Sequence, residues 1–404
     1  MVGLQPPGDA RGDPCLQWSA SLMKRHPQFG VSSAPVQLSG SDRVGKRGSV
    51  GVLVLDGEQR AALAVVRSLA RAGFRVHVAS HQLRAISFAS RFCRGQHLCA
   101  NPISQPEEYA AAIAAIAIES ACALVLPVTE QSIQAMYRLD ISERRFVVGV
   151  SDELRFRRAS SKQEVLMLAR DMGVRVPSQW EIHQREVALS EGIVYPVAVK
   201  AARSVVGDRR LETRYAAAPS ALRQVIASYP DAAFPLLVQQ RIEGVGVGVF
   251  LLRLAGRYAA RFAHRREREL PPSGGSAVSA VSIPLSEAPV ESAEALLNAL
   301  DWEGPAMVEF KVTPAGVPYL MEINPRFWGS LQLAVSAGVD FPSLWSRALI
   351  GEQLPAPSGY RTDVRERNLS RELEWLWAIL SRNAEQLQLP LSMRSRRRLL
   401  RGFA

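Results

Sequence analysis

Residues 307–327 read MVEFKVTPAGVPYLMEINPRF, and four of them could do chemistry: Glu309, Lys311, Glu322 and Asn324. Carboxylates are poor strand formers, yet both glutamates stand in short apolar runs. Side chains alternate along a strand, which puts Met307, Glu309 and Lys311 on one face and Val308, Phe310 and Val312 on the other. The second run sorts into Leu320, Glu322 and Asn324 against Met321 and Ile323, and Pro314, Ala315 and Gly316 supply the turn. A two-residue loop at Ala315–Gly316 sets Glu309 opposite Glu322. A four-residue loop, Thr313 to Gly316, moves the partner by two and keeps both on one face. Like charges facing across a ladder destabilise it, so something positive belongs between them, and Lys311 is one candidate. Two carboxylates and an amide oxygen are also hard donors of the kind Mg2+ accepts beside waters and phosphates. A solvated outer face of a hairpin would show the same pattern, so the residues alone leave both readings open.

The elements around this hairpin fall into two textures. Order begins at SVGVLVLDG, where Val50 to Leu55 form a near-continuous apolar run of the kind a doubly covered parallel strand shows. EQRAALAVVRSLARAG follows with helical spacing and Gly73 as its stop; FRVHVAS, CALVLPV and RFVVGVS are further strands, and PEEYAAAIAAIAIES is a helix. Strand–helix alternation predicts a parallel α/β unit over 49–150. It has no GxGxxG after its first strand, which argues against a dinucleotide site, and Asp56, Gly57, Thr129 and Glu130 fall where strands end and ligands bind. For each of these four a cap or turn role is the favoured reading over substrate contact.

From 151 onward the pattern becomes α+β. SSKQEVLMLARDMGVRVPSQW is a capped amphipathic helix that ends at Gly173, and YPVAVKAA and FPLLVQQRIEG are short strands entered from prolines. GVGVFLLRLAGRYAARFAHRRER alternates and turns at Ala255–Gly256, a hairpin signal. Residues 353–404 read as a helical extension, in which Trp375 and Trp377 pack the helix, with a basic tail.

Residues 1–48, rich in Pro, Gly, Ser and charge without periodicity, read as a disordered leader. They hold six Lys/Arg against three Asp, and the last fourteen residues hold five Arg and no acid, so most of the formal +11 sits at the two ends. The folded body is close to balanced, which argues against nucleic acid as a partner. Four cysteines without CxxC or zinc spacing, no signal peptide and no long apolar stretch predict a cytoplasmic protein with no membrane partner.

In its order of parts the chain resembles the ATP-grasp superfamily, the fold of biotin carboxylase, carbamoyl-phosphate synthetase and D-alanine–D-alanine ligase. The resemblance runs over residues 49–352: a small α/β unit, a lysine-bearing helix ending GVRVP, a VAVK strand, LVQQRIEG, and VEF…MEINPR. The HRR…PPSGG stretch is similar to the carboxylate–amine ligase, or carbamoyl-phosphate-synthase-like, branch. What the resemblance implies for the fold is an N-terminal parallel-sheet domain, then a two-part ATP-grasp domain over 151–352 with a lid over 178–235. For the site it implies that Glu309, Glu322 and Asn324 hold Mg2+, or Mn2+, on the phosphates of ATP, with Arg326 against the transferring phosphate. Lys200 would meet the α- and β-phosphates and Lys162 the α-phosphate. Gln239, Gln240 and Ile242 would receive adenine through main-chain groups, and Glu243 the ribose.

The chain departs from the family pattern in two places. Gly244, Gly246 and Gly248 stand where a ribose-binding glutamate is common, and KAARSVVGDRR has a single glycine, Gly207, where a glycine-rich phosphate flap is usual. Arg203, Ser204, Arg209 and Arg210 are substitutes there. Residues 264–279 read as a loop over the site, in which Arg265 or Arg266 clamps an acyl phosphate or a carboxylate. The implied reaction joins a small-molecule carboxylate to an amine at the expense of ATP. Phosphorylation of a hydroxyl and non-catalytic ATP binding are the alternatives. Relatives of this kind are often dimers, so a homodimer is the expected assembly.

Overall fold

The computed structural model describes residues 50–139, 145–186, 189, 192–201, 205–206, 209–211, 213–383 and 387. The leader, the basic tail at 391–404, Arg203, Ser204 and Gly207 lie outside these, as do the side chains of Arg209 and Arg210.

The first sheet has five parallel strands in the order β3-β2-β1-β4-β5: β1 (Gly51–Val54), β2 (Arg75–Ser80), β3 (Gly95–Leu98), β4 (Cys122–Leu126) and β5 (Val147–Val148). Val52, Leu53, Val54, Leu124, Val125 and Leu126 have no exposed surface, which is why β1 and β4 read as unbroken apolar runs. β3 reads GQHL at the sheet edge and alternates only between half-buried and exposed residues, so it leaves no hydrophobic signal in the sequence. Helix α1 (Arg60–Arg71) covers β1 and β2 with Ala62, Val65, Val66 and Leu69.

A second sheet, β10-β7-β11-β6, is built from β6 (Gln179–Ile182), β7 (Val197–Ala201), β10 (Arg214–Ala216) and β11 (Leu236–Gln240), all antiparallel, and β8 (Val205–Val206) pairs with β9 (Arg209–Arg210) as a separate ribbon. Its small core of Val197, Val199, Leu222, Ile226, Leu236 and Val238 is separate from the rest.

The third sheet has six antiparallel strands in the order β16-β15-β12-β13-β14-β17. These are β12 (Val245–Leu254), β13 (Arg257–Leu270), β14 (Ser276–Ser282), β15 (Gly304–Val312), β16 (Pro318–Asn324) and β17 (Arg365–Arg367). Ala255 at φ 47° and Gly256 at φ 76° make the tight turn between β12 and β13. Three expectations need correction here. Residues 264–279 are not a loop: β13 and β14 continue through them, and only 271–275 turn. The C-terminal segment is not wholly helical, because it returns to the sheet as edge strand β17 before helix α2 (Leu369–Ser381). On that helix Trp375 is buried, whereas Trp377 is 72% exposed.

The main core spans the first and third sheets. Val65 and Leu69 of α1 join Phe250, Phe262, Trp328, Phe341 and Trp345 in one cluster, so the parallel unit is fastened to the six-stranded sheet by buried aromatic surface. No described helix is long and apolar enough to cross a membrane.

Candidate active site

The hairpin β15–β16 pairs Glu309 with Glu322 directly, but not by the regular alternation expected. Five residues separate the paired Val312 and Pro318, and a bulge falls between the Glu309 and Phe310 pairings. Leu320 therefore faces Phe310 and lies in the core with Val308 and Ile323. Met321 and Glu322 both line the opposite side, as the extra residue of a bulge allows. The expected faces of Leu320 and Met321 are thus exchanged, and the two carboxylates still meet.

That side is the floor of a cavity of about 550 Å3 between the second and third sheets. Lys162, Lys200, Gln239, Gln240, Ile242, Arg266, Glu309, Lys311, Glu322, Asn324 and Arg326 all line it. Two expected residues do not. Arg265 alternates to the other face of β13 and is exposed, and Glu243 is half-buried beyond the cavity wall.

The charge between the two glutamates comes mainly from Arg266, not Lys311. Arg266 donates to Glu309, and also to Glu269 at 3.0 Å and to the Gly275 carbonyl at 3.0 Å. Lys311 lies 3.9 Å from Glu269 instead. Gly246 on the neighbouring β12 makes room for this side chain: a Cβ there would stand 2.8 Å from Arg266 Cδ and 2.9 Å from Glu269 Oε1. Burial raises the Glu309 pKa, with Arg266 opposing. Burial acts on Glu322 too, but Lys162, the Asn324 amide and Lys200 together hold it below the usual carboxylate range. Its side chain is 43% open, against 14% for Glu309, and Lys162 Nζ stands 3.9 Å away.

Beyond Glu322 the polar chain continues. Asn324 donates to Glu322 at 3.1 Å and accepts from Arg326 at 3.0 Å, and Arg326 also donates to the Phe327 carbonyl at 2.9 Å. Glu130 of the first unit faces Arg326; burial raises its pKa and Arg326 offsets part of that. Of the other residues at the ends of the parallel strands, Asp56 is structural. Buried, it accepts from the Val128 and Thr129 N–H groups and from Ser132 at 2.6–2.9 Å.

Lys162 is the first residue of a helix running to Asp171, and Ser161 caps it by accepting from the Glu164 N–H. Lys200 approaches the cavity from β7, donating to Gln239 Oε1 at 3.3 Å. Burial and the nearby Lys162 lower its pKa from 10.5 to about 7. The main chain of β11 is less open than expected. Gln240 N–H is held by the Ser178 carbonyl at 2.8 Å and Arg241 N–H by the Pro196 carbonyl at 2.9 Å, so Ile242 carries the first N–H beyond the ladder. The sequence reading missed Arg241, Tyr215 and Glu269, which also line the cavity. Arg241 stacks on Tyr215 at 4.1 Å and donates to the Ser273 carbonyl at 3.0 Å. Its place inside QQRIEG was the available signal.

This geometry can hold a polyanion against Lys162, Lys200 and Arg326, with a cation between it and the carboxylates of Glu309 and Glu322. Among the described residues no three His, Cys, Asp or Glu side chains converge on a metal position. The donor set is two glutamates and one asparagine, which fits a cation that keeps waters or phosphates in its shell, as Mg2+ does.

The comparisons agree with the geometry. A family described as ATP-grasp in the biosynthetic pathway with Ter operon matches residues 233–372. No curated protein matches the chain by sequence. Solved structures that superpose on it include L-amino acid ligase from Bacillus licheniformis, at 14% identity and a TM-score of 0.57, over 76% of this chain and 75% of that one. Biotin carboxylase from Campylobacter jejuni superposes at 17% identity and 0.61, over 78% and 74%. N5-carboxyaminoimidazole synthetase from Staphylococcus aureus, in complex with ADP, does so at 12% identity and 0.59, over 78% and 80%. The chain has the ATP-grasp fold. Within the ATP-grasp fold the cavity floor is the β15–β16 hairpin, and its roof is the small four-stranded sheet that carries Lys200.

Proposed function

We propose that this ATP-grasp protein is an ATP- and Mg2+-dependent ligase that activates a small-molecule carboxylate as an acyl phosphate and joins it to an amine. The observation that carries the reading is the convergence of Glu309, Glu322, Asn324, Lys162, Lys200 and Arg326 on one cavity. The similarity to an L-amino acid ligase and to a synthetase complexed with ADP supports it.

Glu309, Glu322 and Asn324 are the residues that would hold Mg2+, or Mn2+, which when bound supplies positive charge against the β- and γ-phosphates. Lys200, Lys162 and Arg326 take the remaining phosphate charge and hold it where it spreads during transfer. Ile242 meets adenine through its N–H, which lies beyond the β11 ladder. Arg266, anchored by Glu269 and the Gly275 carbonyl, presents its guanidinium to the substrate carboxylate. A carboxylate oxygen attacks the γ-phosphorus and ADP leaves. The neutral amine nitrogen then attacks the acyl carbon, phosphate departs with the C–O bonding pair, and the amine proton passes to water. The roof sheet of β6, β7, β10 and β11, the first three within the lid expected over 178–235, keeps water from the acyl phosphate.

Hydroxylamine tests this chemistry, because it intercepts an acyl phosphate as a stable hydroxamate. Incubation with Mg·ATP and a panel of carboxylates is expected to give hydroxamate and ADP in equal amounts. ADP with a stable phosphorylated product and no hydroxamate would replace the ligase reading by a kinase.

A further inference from the structure

Helix α2 is apolar on two opposite sides. Its inner side buries Trp375, Ala378 and Ile379 beside Leu270 of β13, and the buried Glu372 accepts there from Arg268 and Arg367. Its outer side carries Leu369, Leu373, Trp377 and Leu380, which are 70%, 66%, 72% and 54% exposed. At 3.6 residues per turn these four fall within an arc of about 80°, roughly opposite the buried four, and make a stripe about 16 Å long. No charged residue of the helix falls inside that arc, and Glu374 beside it is the one exposed acid of α2. A helix that is apolar all round is ordinarily covered all round, and a continuous apolar patch on a surface marks a place of docking.

The chain beyond the helix indicates what docks there. Leu387 comes back against Trp375, Ala378 and Ile379 and is 7% exposed, so the backbone is anchored beside α2. Residues 388–404, QLPLSMRSRRRLLRGFA, lie outside the described ones; their sequence holds five arginines and no acid. Seven residues separate Leu387 from Arg394, a span of at most about 25 Å, so the basic segment starts within reach of the stripe. A second copy docked stripe to stripe would bring two such segments together, and their mutual repulsion counts against it. A nucleic acid would answer the arginines and leave three leucines unanswered. A surface that is apolar beneath and anionic above answers both.

We infer that the outer face of α2 and the basic segment after it dock this protein on an anionic lipid surface, the stripe entering the boundary between headgroups and acyl chains and the arginines meeting lipid phosphates. Neither signal suffices for stable attachment, and the two together do. The expectation of no membrane partner rested on the lack of a stretch long enough to cross a bilayer; a helix that lies on the surface needs none. The exposed stripe is separate from the residues that line the nucleotide cavity, so the inference stands apart from the ligase reading.

The test is flotation of the full chain with vesicles of phosphatidylcholine alone and of phosphatidylcholine mixed with phosphatidylglycerol, at low and high salt. The wild type is expected to float with the mixed vesicles at low salt and to stay behind with the neutral ones. Leu373→Glu with Trp377→Glu should weaken that binding by at least about tenfold. Arg396→Gln with Arg397→Gln should weaken it by about twentyfold or more at low salt. The first pair lies on the exposed face of α2, so its thermal melt should match the wild type; Trp377→Ser, which adds no charge, is the second variant and should weaken binding in the same direction. Failure of the wild type to float with the mixed vesicles would overturn the inference, as would flotation that the α2 variants leave unchanged. A wild type that floats with neither vesicle, and that size exclusion shows as a dimer made monomeric by Leu373→Glu with Trp377→Glu, would give the stripe to a second copy instead. Retention on RNA through the arginines, with no flotation, would likewise overturn it.

Discussion

Lys200 makes nucleotide binding dependent on pH in a way that can be calculated. Burial, and then the neighbouring Lys162, lower its pKa to about 7, so in alkaline solution most chains present a neutral amine to the phosphates. A triphosphate needs the ammonium, and once bound it returns the pKa toward the ordinary lysine range. Apparent Kd then scales as one plus ten to the power of pH minus 7. That is a weakening of about elevenfold at pH 8 and about a hundredfold at pH 9 relative to the fully protonated chain, or close to one decade per unit. The effect on stability has the opposite sign. The folded pKa lies below the unfolded value, so the unfolded chain binds more protons between about 7 and 10.5. This group's contribution to stability therefore rises with pH across that window. Calorimetric titration of a non-hydrolysable ATP analogue with Mg2+ from about pH 7.5 to 9.5 avoids most of the phosphate's own ionisation. Repeating it in buffers of different ionisation heat reads the proton taken up. Lys200→Met should bind more weakly throughout and show a flat profile. A flat wild-type profile, or the same slope in Lys200→Met, would refute the placement of this lysine on the phosphates.

Other consequences follow from the alternation of β13 and the packing around it. Arg266→Ala should abolish turnover, while Arg265→Ala, on the opposite face, should leave kcat intact and stability within about 0.5 kcal/mol, as ADP release and thermal melts would show. Gly246→Val sets new carbon against Arg266 Cδ and Glu269 Oε1, so the fold should survive while kcat drops by up to about a hundredfold as the guanidinium is pushed aside. Arg253 is buried and donates to Asn298 at 3.0 Å, the Trp302 carbonyl at 2.7 Å and Glu303 at 2.7 Å. Arg253→Met should cost about 3–5 kcal/mol of stability by denaturant titration, with substrate KM values unchanged.

The fold class and most of the residues that line the candidate site were legible in the sequence; the details of strand and register were less so. Two glutamates and an asparagine inside apolar strand runs announce themselves, because burying charge without a partner is unfavourable. Lys200 at the end of VAVK does so for the same reason. The register of the hairpin was not legible, since the bulge that places Met321 beside Glu322 depends on which neighbour covers Leu320. Nor was the division of labour in HRRERE. His264 is buried and stacked 4.7 Å from Phe250, Arg265 faces outward, Arg266 faces the cavity and Arg268 is buried against Glu372. Only the pairing of β13 with β12 and β14 sorts four such similar residues. β3 and β17 escaped because short polar edge strands carry little hydrophobic pattern. The alternating glycines after QQRIEG, a departure from the family pattern, acquire a physical reason at Gly246, which gives Arg266 its space.

ADP release from Mg·ATP by the wild-type chain and by Glu322→Gln, each checked for native circular dichroism, tests the central claim most directly. If the cavity is a Mg·ATP site served by Glu322, the wild type releases ADP in the presence of a carboxylate and an amine, and the folded variant does not. Equal ADP release by the folded variant would contradict the assignment of this cavity.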